Sequence, residues 1–329
     1  MVSALDKRFR NSSVELLRIA SMIMIVIFHF CANAYQYSSG DFVYEHDGET
    51  LTKLSFHALG QTGVPIFMFI SGYYGIRFKR NRLIDLIIQC FVYIFLFYLV
   101  VYAISPSPNA IGNSRTLILS IFFLSGQWFM HAYIVIYLFS DGINAMLDKL
   151  NFRMYTFLIL VILYISVGLW IYKESALNMF TLLEIYVVGR YIKRFLPDKW
   201  KARMVYFILP SFFLFLLPVF YGWHLGNYSS IMPYVNKYYN PFILLFAVCL
   251  VVSAEHFYFY NKCINYLASS VLACYLIHTS FYFPALVAPY FHFEKYNLGW
   301  IIFLSLLIVV GCSLVDKLRL LIQNKFIKL

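Results

Sequence analysis

Long apolar runs separated by short polar interruptions dominate this chain. A segment of about 20 mostly apolar residues is long enough to cross a bilayer as a helix. Ten segments fit, roughly 14–34, 56–76, 83–104, 128–147, 154–171, 176–192, 204–221, 241–258, 264–287 and 298–318. A shorter apolar piece, Thr116 to Gly126, precedes the fourth and reads as a re-entrant or interfacial segment. Pro210 and Pro218 interrupt the seventh. No linker, repeat or soluble appendage breaks the series. The pattern predicts an all-α fold: one integral-membrane domain over 1–329, a polytopic bundle of about ten transmembrane helices.

Composition agrees. The chain is 62% hydrophobic and 12% charged, against about 25% charged in a soluble domain. The 20% aromatic share suits interfacial belts. Net charge is +11. In a soluble protein that would raise nucleic acid as a partner; here topology accounts for it, and no nucleic acid partner is expected. With the N-terminus inside, nineteen Lys and Arg fall in inner segments and five in outer ones, with Arg18 and Arg190 inside spans. This bias predicts both termini in the cytoplasm and a multi-pass protein of the cell (inner, cytoplasmic) membrane. Lys7, Arg8 and Arg10 ahead of an apolar run, with Ala32-Asn33-Ala34 after it, imitate a signal peptide. The run is long, holds Glu15 and Arg18 near its start, and is followed by many more spans, which favours a first helix. Six cysteines lie scattered in apolar segments without a CxxC pair and read as buried small hydrophobes; no metal site is expected.

Ionisable residues inside such segments are expensive and mark function by default. In the first segment Arg18 and His29 are eleven residues apart, about three full turns, so they share one helix face some 16 Å apart along the axis. Glu15 stands three residues before Arg18 and can pair with it. Neutral histidine is the natural proton-transfer group near neutral pH. The second segment ends in Arg77, Arg80 and Arg82, either a plain positive anchor or a site for phosphates bound bidentately. Trp128 and His131 open the fourth segment, as an interfacial belt or a cavity lining. Tyr275 and His278 sit in the ninth, where an interhelical hydrogen bond is the plain role for His278. Glu184 must pair, take up a proton or face water. Arg190 lies about 240° around the helix from it and is not its obvious partner.

Four stretches in order carry a resemblance: Glu15-Leu-Leu-Arg18 with Phe28-His29-Phe30, Phe67 to Gly72 followed by Arg77-x-x-Arg80, Trp128-Phe129, and Tyr275-Leu-Ile-His278. Together they resemble the membrane-bound acyltransferase family 3, over essentially the whole chain. Glu15 stands where an aspartate is usual, and the tripeptide at Ser71 reads SGY rather than SGF. The resemblance implies an acyltransferase of class EC 2.3.1 that moves an acyl group, most often acetyl, to a hydroxyl of a surface or lipid-linked glycan. Acetyl-CoA or another acyl-CoA would be the donor substrate, and no bound cofactor is implied.

On that basis Arg18, Arg77, Arg80 and Arg82 would hold the phosphates of the donor. His29 would act as general base or transient acyl carrier, and Glu15 would orient Arg18. Trp128, His131, Glu184, Tyr275 and His278 would line the cavity. The partners are then acyl-CoA, a saccharide or lipid-linked acceptor, and membrane lipid. The alternative is a secondary transporter or flippase for a glycan or small solute, with buried charges as a proton relay. It calls for broken helices in matching positions of two halves, and no mirrored pair or repeat is readable. A glycan polymerase would want larger outer loops.

Overall fold

The computed structural model describes residues 10–34, 47–104, 127–172, 178–226, 232–235, 237–279 and 297–326. Among the described residues every regular element is helical. In chain order these are α1 (Ser12–Ala34), α2 (Gly48–Gly60), α3 (Gly63–Tyr74), α4 (Arg80–Ile104), α5 (Trp128–Lys149), α6 (Phe152–Ile171) and α7 (Asn178–Phe195). Then come α8 (Asp198–His224), α9 (Met232–Val235), α10 (Pro241–His256), α11 (Lys262–Ala268), α12 (Val271–His278) and α13 (Leu298–Phe326). Five are long and apolar enough to cross a membrane by themselves: α1, α4, α6, α8 and α13. The segment Thr116 to Gly126 lies outside the described residues.

Two expected spans are corrected. The segment 56–76 is two helices, α2 and α3, parted by a turn at Gln61–Thr62. Thr62 Oγ1 donates to Leu59 O at 2.7 Å and closes that turn locally. Moreover, α2 begins at Gly48, ahead of the expected start at 56, because the Asp47 side chain caps it by accepting from Thr50 N at 2.8 Å. The segment 264–287 is likewise broken by a turn at Ser269–Ser270 into α11 and α12. A third expectation also fails: α8 runs through both Pro210 and Pro218 without a break.

At the hub of the bundle, α1 touches α2, α3, α10, α11, α12 and α13. Its first residue is anchored by backbone and side chain. Ser12 N donates to Phe259 O at 2.9 Å, and Ser12 Oγ donates to Asn265 Oδ1 at 2.9 Å. Small residues bring backbones together. A Cβ on Gly60 would fall 2.3 Å from Phe28 Cβ, and one on Gly72 2.3 Å from Tyr186 O, so α2 rides on α1 and α3 on α7. The chain leaves α3 through Gly75 at φ 74°, a left-handed backbone that favours glycine. An extended strap follows, held to α5 by Phe78 N to Asp141 Oδ1 (3.2 Å) and Lys79 N to Tyr137 OH (3.1 Å).

Candidate active site

One face of α1 carries Arg18, Met22 and Ile25 into a cavity of about 260 Å³. The spacing of four then three keeps them on one side of a helix, and His29 is the next position on that face. The other walls come from Phe67 and Ser71 of α3, Arg82 and Gln89 of α4, Phe129 and Tyr133 of α5, and Tyr275 of α12. Two guanidiniums, Arg18 and Arg82, therefore share one chamber with three tyrosines, two serines, an amide and the carboxylate of Asp85.

Arg18 is held by its own helix. Its Nη1 donates to Glu15 Oε2 at 3.1 Å, and its Cζ lies 5.9 Å from the centroid of the Phe67 ring. Glu15 is buried and also stands 3.8 Å from Arg10 Nη1. Arg18 lines a second, larger hollow of about 830 Å³ as well, whose walls include Arg10, Lys193, Lys201 and Glu255. It thus forms part of the partition between this larger vestibule and the chamber.

Beyond Ile25 the chamber gives way to a histidine pair. His29 Nδ1 lies 3.1 Å from His278 Nε2, and His278 Nδ1 lies 2.6 Å from Cys274 O. His278 is buried, whereas His29 is half-buried. The Tyr275 ring sits one turn back on α12, edge-on to Phe129 at 5.3 Å between centroids. Gln127 Nε2 donates to Leu276 O at 2.9 Å and pins the start of α5 to α12 at this level. On the other side Phe28 stacks on His57 of α2 at 4.7 Å.

The expected site residues separate accordingly. Glu15, Arg18, Arg82 and Tyr275 gather around the chamber and its mouth, and His29 and His278 meet just past it. Arg77 lies elsewhere, in a hollow of about 550 Å³ with Arg190, Asp141 and Asp148. Arg80 is exposed and lines none of these three hollows, so the three arginines do not form one cluster. His131 is exposed, and Trp128 packs on Tyr238 at 5.1 Å. Glu184 of α7 accepts from Ser166 Oγ of α6 at 2.5 Å and lines none of these hollows. Arg190 pairs with Asp148 at 2.8 Å rather than with Glu184. Ser71, Gln89, Gln127 and Tyr133 are residues that sequence reasoning passed over as site members. The spacing of Phe129, Tyr133 and Tyr137 by four was the available signal for the tyrosine. Among the described residues no three His, Cys, Asp or Glu side chains converge as a metal site.

Residues 11–316, nearly the whole chain, match the sequence profile described as an acyltransferase domain, Acyl_transf_3. The chain belongs to the acyltransferase 3 family. No curated protein and no solved structure matches it. Membership of the acyltransferase 3 family, together with the five long apolar helices, makes this a multi-pass membrane acyltransferase.

Proposed function

We propose that this acyltransferase moves an acyl group, acetyl in the first instance, from acyl-CoA on the cytoplasmic side to a hydroxyl of a surface or lipid-linked glycan. One observation carries the reading: Arg18, Met22 and Ile25 line a single chamber, and His29 follows them on the same face of α1. Arg18 and Arg82 are two fixed positive charges suited to the phosphates of the donor, and guanidiniums bind phosphate bidentately. The thioester arm then runs along the chamber toward His29, over an axial distance of about 16 Å.

The chemistry balances with His29 as general base. Its Nε2 takes the proton of the acceptor hydroxyl as that oxygen attacks the thioester carbonyl carbon. The tetrahedral intermediate collapses, the C–S bond breaks, and the departing CoA sulfur takes the proton back from the imidazolium. Because His29 Nδ1 is engaged by His278, Nε2 is the nitrogen left for this work. The count of lysines and arginines on the two sides of the membrane supports cytoplasmic termini and hence a cytoplasmic vestibule. Purified protein in liposomes supplied with radiolabelled acetyl-CoA and a pool of cell-surface oligosaccharides tests the reading. Label must pass to saccharide with wild-type protein and not with Arg18→Ala or His29→Ala. Equal labelling by either variant removes that residue from the mechanism, and CoA-independent saccharide uptake would favour a transporter.

A further inference from the structure

The histidine pair has a direction. A carbonyl oxygen only accepts, so the 2.6 Å contact to Cys274 O places a proton on His278 Nδ1. Deep among apolar helices a charged ring is costly, and a neutral imidazole carries one proton. His278 Nε2 is therefore a lone pair. It faces His29 Nδ1 at 3.1 Å, so that nitrogen must be the donor. The proton of His29 then sits on Nδ1 and the lone pair on Nε2. The Ile25 carbonyl, one turn back, is a second acceptor for the ring; in α12 the corresponding carbonyl, Cys274, is reached from Nδ1.

We propose that His278 is a positioning residue that fixes the tautomer of His29, with the Cys274 carbonyl setting the polarity of the chain. The inference rests on the reading of His29 as base and assigns how that base is aimed. With both ring nitrogens occupied, His278 does not itself touch substrate. When His29 takes the acceptor's proton, the imidazolium still donates through Nδ1 to a neutral acceptor that does not have to move. This is the orienting role that a carboxylate fills in other nucleophile–base systems, here filled by a second imidazole. Gln127 supports it by tying Leu276, two residues away, to the start of α5.

Two measurements test this. Solid-state NMR of full-length protein with ¹⁵N-labelled histidine, in liposomes, reads the tautomer directly, with His29→Gln identifying the resonance. The expected result is a protonated Nδ1 and an unprotonated Nε2 on His29. A proton on Nε2 overturns the proposal. Acetyl transfer from acetyl-CoA by His278→Leu and His278→Gln gives the second. His278→Leu keeps the bulk and removes the acceptor; His278→Gln offers an amide oxygen near the position of Nε2. The leucine variant is expected to lose about 10²-fold or more in kcat with KM for acetyl-CoA unchanged, and the glutamine variant to recover most of that loss. Equal activity of both variants, high or low, overturns the positioning role. Full activity of His29→Ala would overturn the catalytic reading beneath it, while the NMR result would still report the hydrogen-bond order on its own.

Discussion

Replacing Gly72 by alanine attacks the crossing that sets the back wall of the chamber. A Cβ at Gly72 would lie 2.3 Å from Tyr186 O, 2.8 Å from its Cα and 2.9 Å from its carbonyl carbon. Ordinary contact begins near 3.4 Å, so α3 and α7 must part by about 1 Å. The obstacle is backbone and cannot rotate away. Gly189 meets α3 at the same crossing, where its own Cβ would fall 2.8 Å from Phe69 O, so sliding one helix past the other gives no relief. Overpacking of this kind costs about 1–3 kcal/mol. Gly142 on α5 is the control. Nothing lies within 4 Å of its Cβ position, and alanine there gains about 0.5–1 kcal/mol of helix stability. The two variants should therefore differ by roughly 1.5–4 kcal/mol. Unfolding by titration of SDS into mixed micelles, followed by circular dichroism, measures the gap. Equal midpoints would refute the close crossing. Ser71 stands beside Gly72 on the chamber wall, so acyl transfer should fall with stability in Gly72→Ala and hold in Gly142→Ala.

Asp316 of α13 is buried and accepts from Tyr93 OH (2.7 Å), Gln89 Nε2 (3.2 Å) and Arg319 Nε (2.8 Å). Asp316→Ala leaves the Arg319 guanidinium without its carboxylate, held by Gln323 Oε1, and should cost about 3–5 kcal/mol in the same titration; a loss below about 1 kcal/mol would contradict that role. The carboxyl of Asp47, in front of α2, is held below the usual carboxylate range by the hydroxyl and then the amide of Thr50. A lowered value in the folded state means that the cap's contribution is complete above the ordinary aspartate range and fades as pH falls through the folded value. Hydrogen exchange of the first turn of α2 should therefore quicken in acid, and Asp47→Asn, which keeps an acceptor, should remove that dependence; an unchanged dependence counts against the cap. Arg18→Ala should abolish transfer without altering membrane insertion, checked by labelling of the inserted protein.

What was legible in the sequence followed the reach of each signal. The face shared by Arg18 and His29 was readable because it lies in one helix with one period, and the same logic holds for the pairing of Glu15 with Arg18. Length and hydropathy found α1, α4, α6, α8 and α13. The breaks inside the segments 56–76 and 264–287 escaped because a hydropathy window averages over a two-residue turn. Thr62 Oγ1 donates to Leu59 O and Ser269 Oγ to Tyr266 O within those turns, and neither turn carries a charge to mark it. The arginines misled for another reason. Arg77 and Arg80 belong to a strap and the very start of a helix, where direction is set by contacts with α5 rather than by period, so only Arg82 enters the chamber. His278 was visible as a polar residue in an apolar run, but its partner lies 249 residues away in sequence, and no local pattern encodes that meeting.

The most direct test of His29 as the base of an acyl transfer is mass spectrometry of surface and lipid-linked glycans. Cells making wild-type protein, His29→Ala at equal membrane abundance, or neither are compared. An added acyl mass present with the wild type and missing in the other two is the predicted result. The same acyl mass on glycans from His29→Ala cells would contradict it.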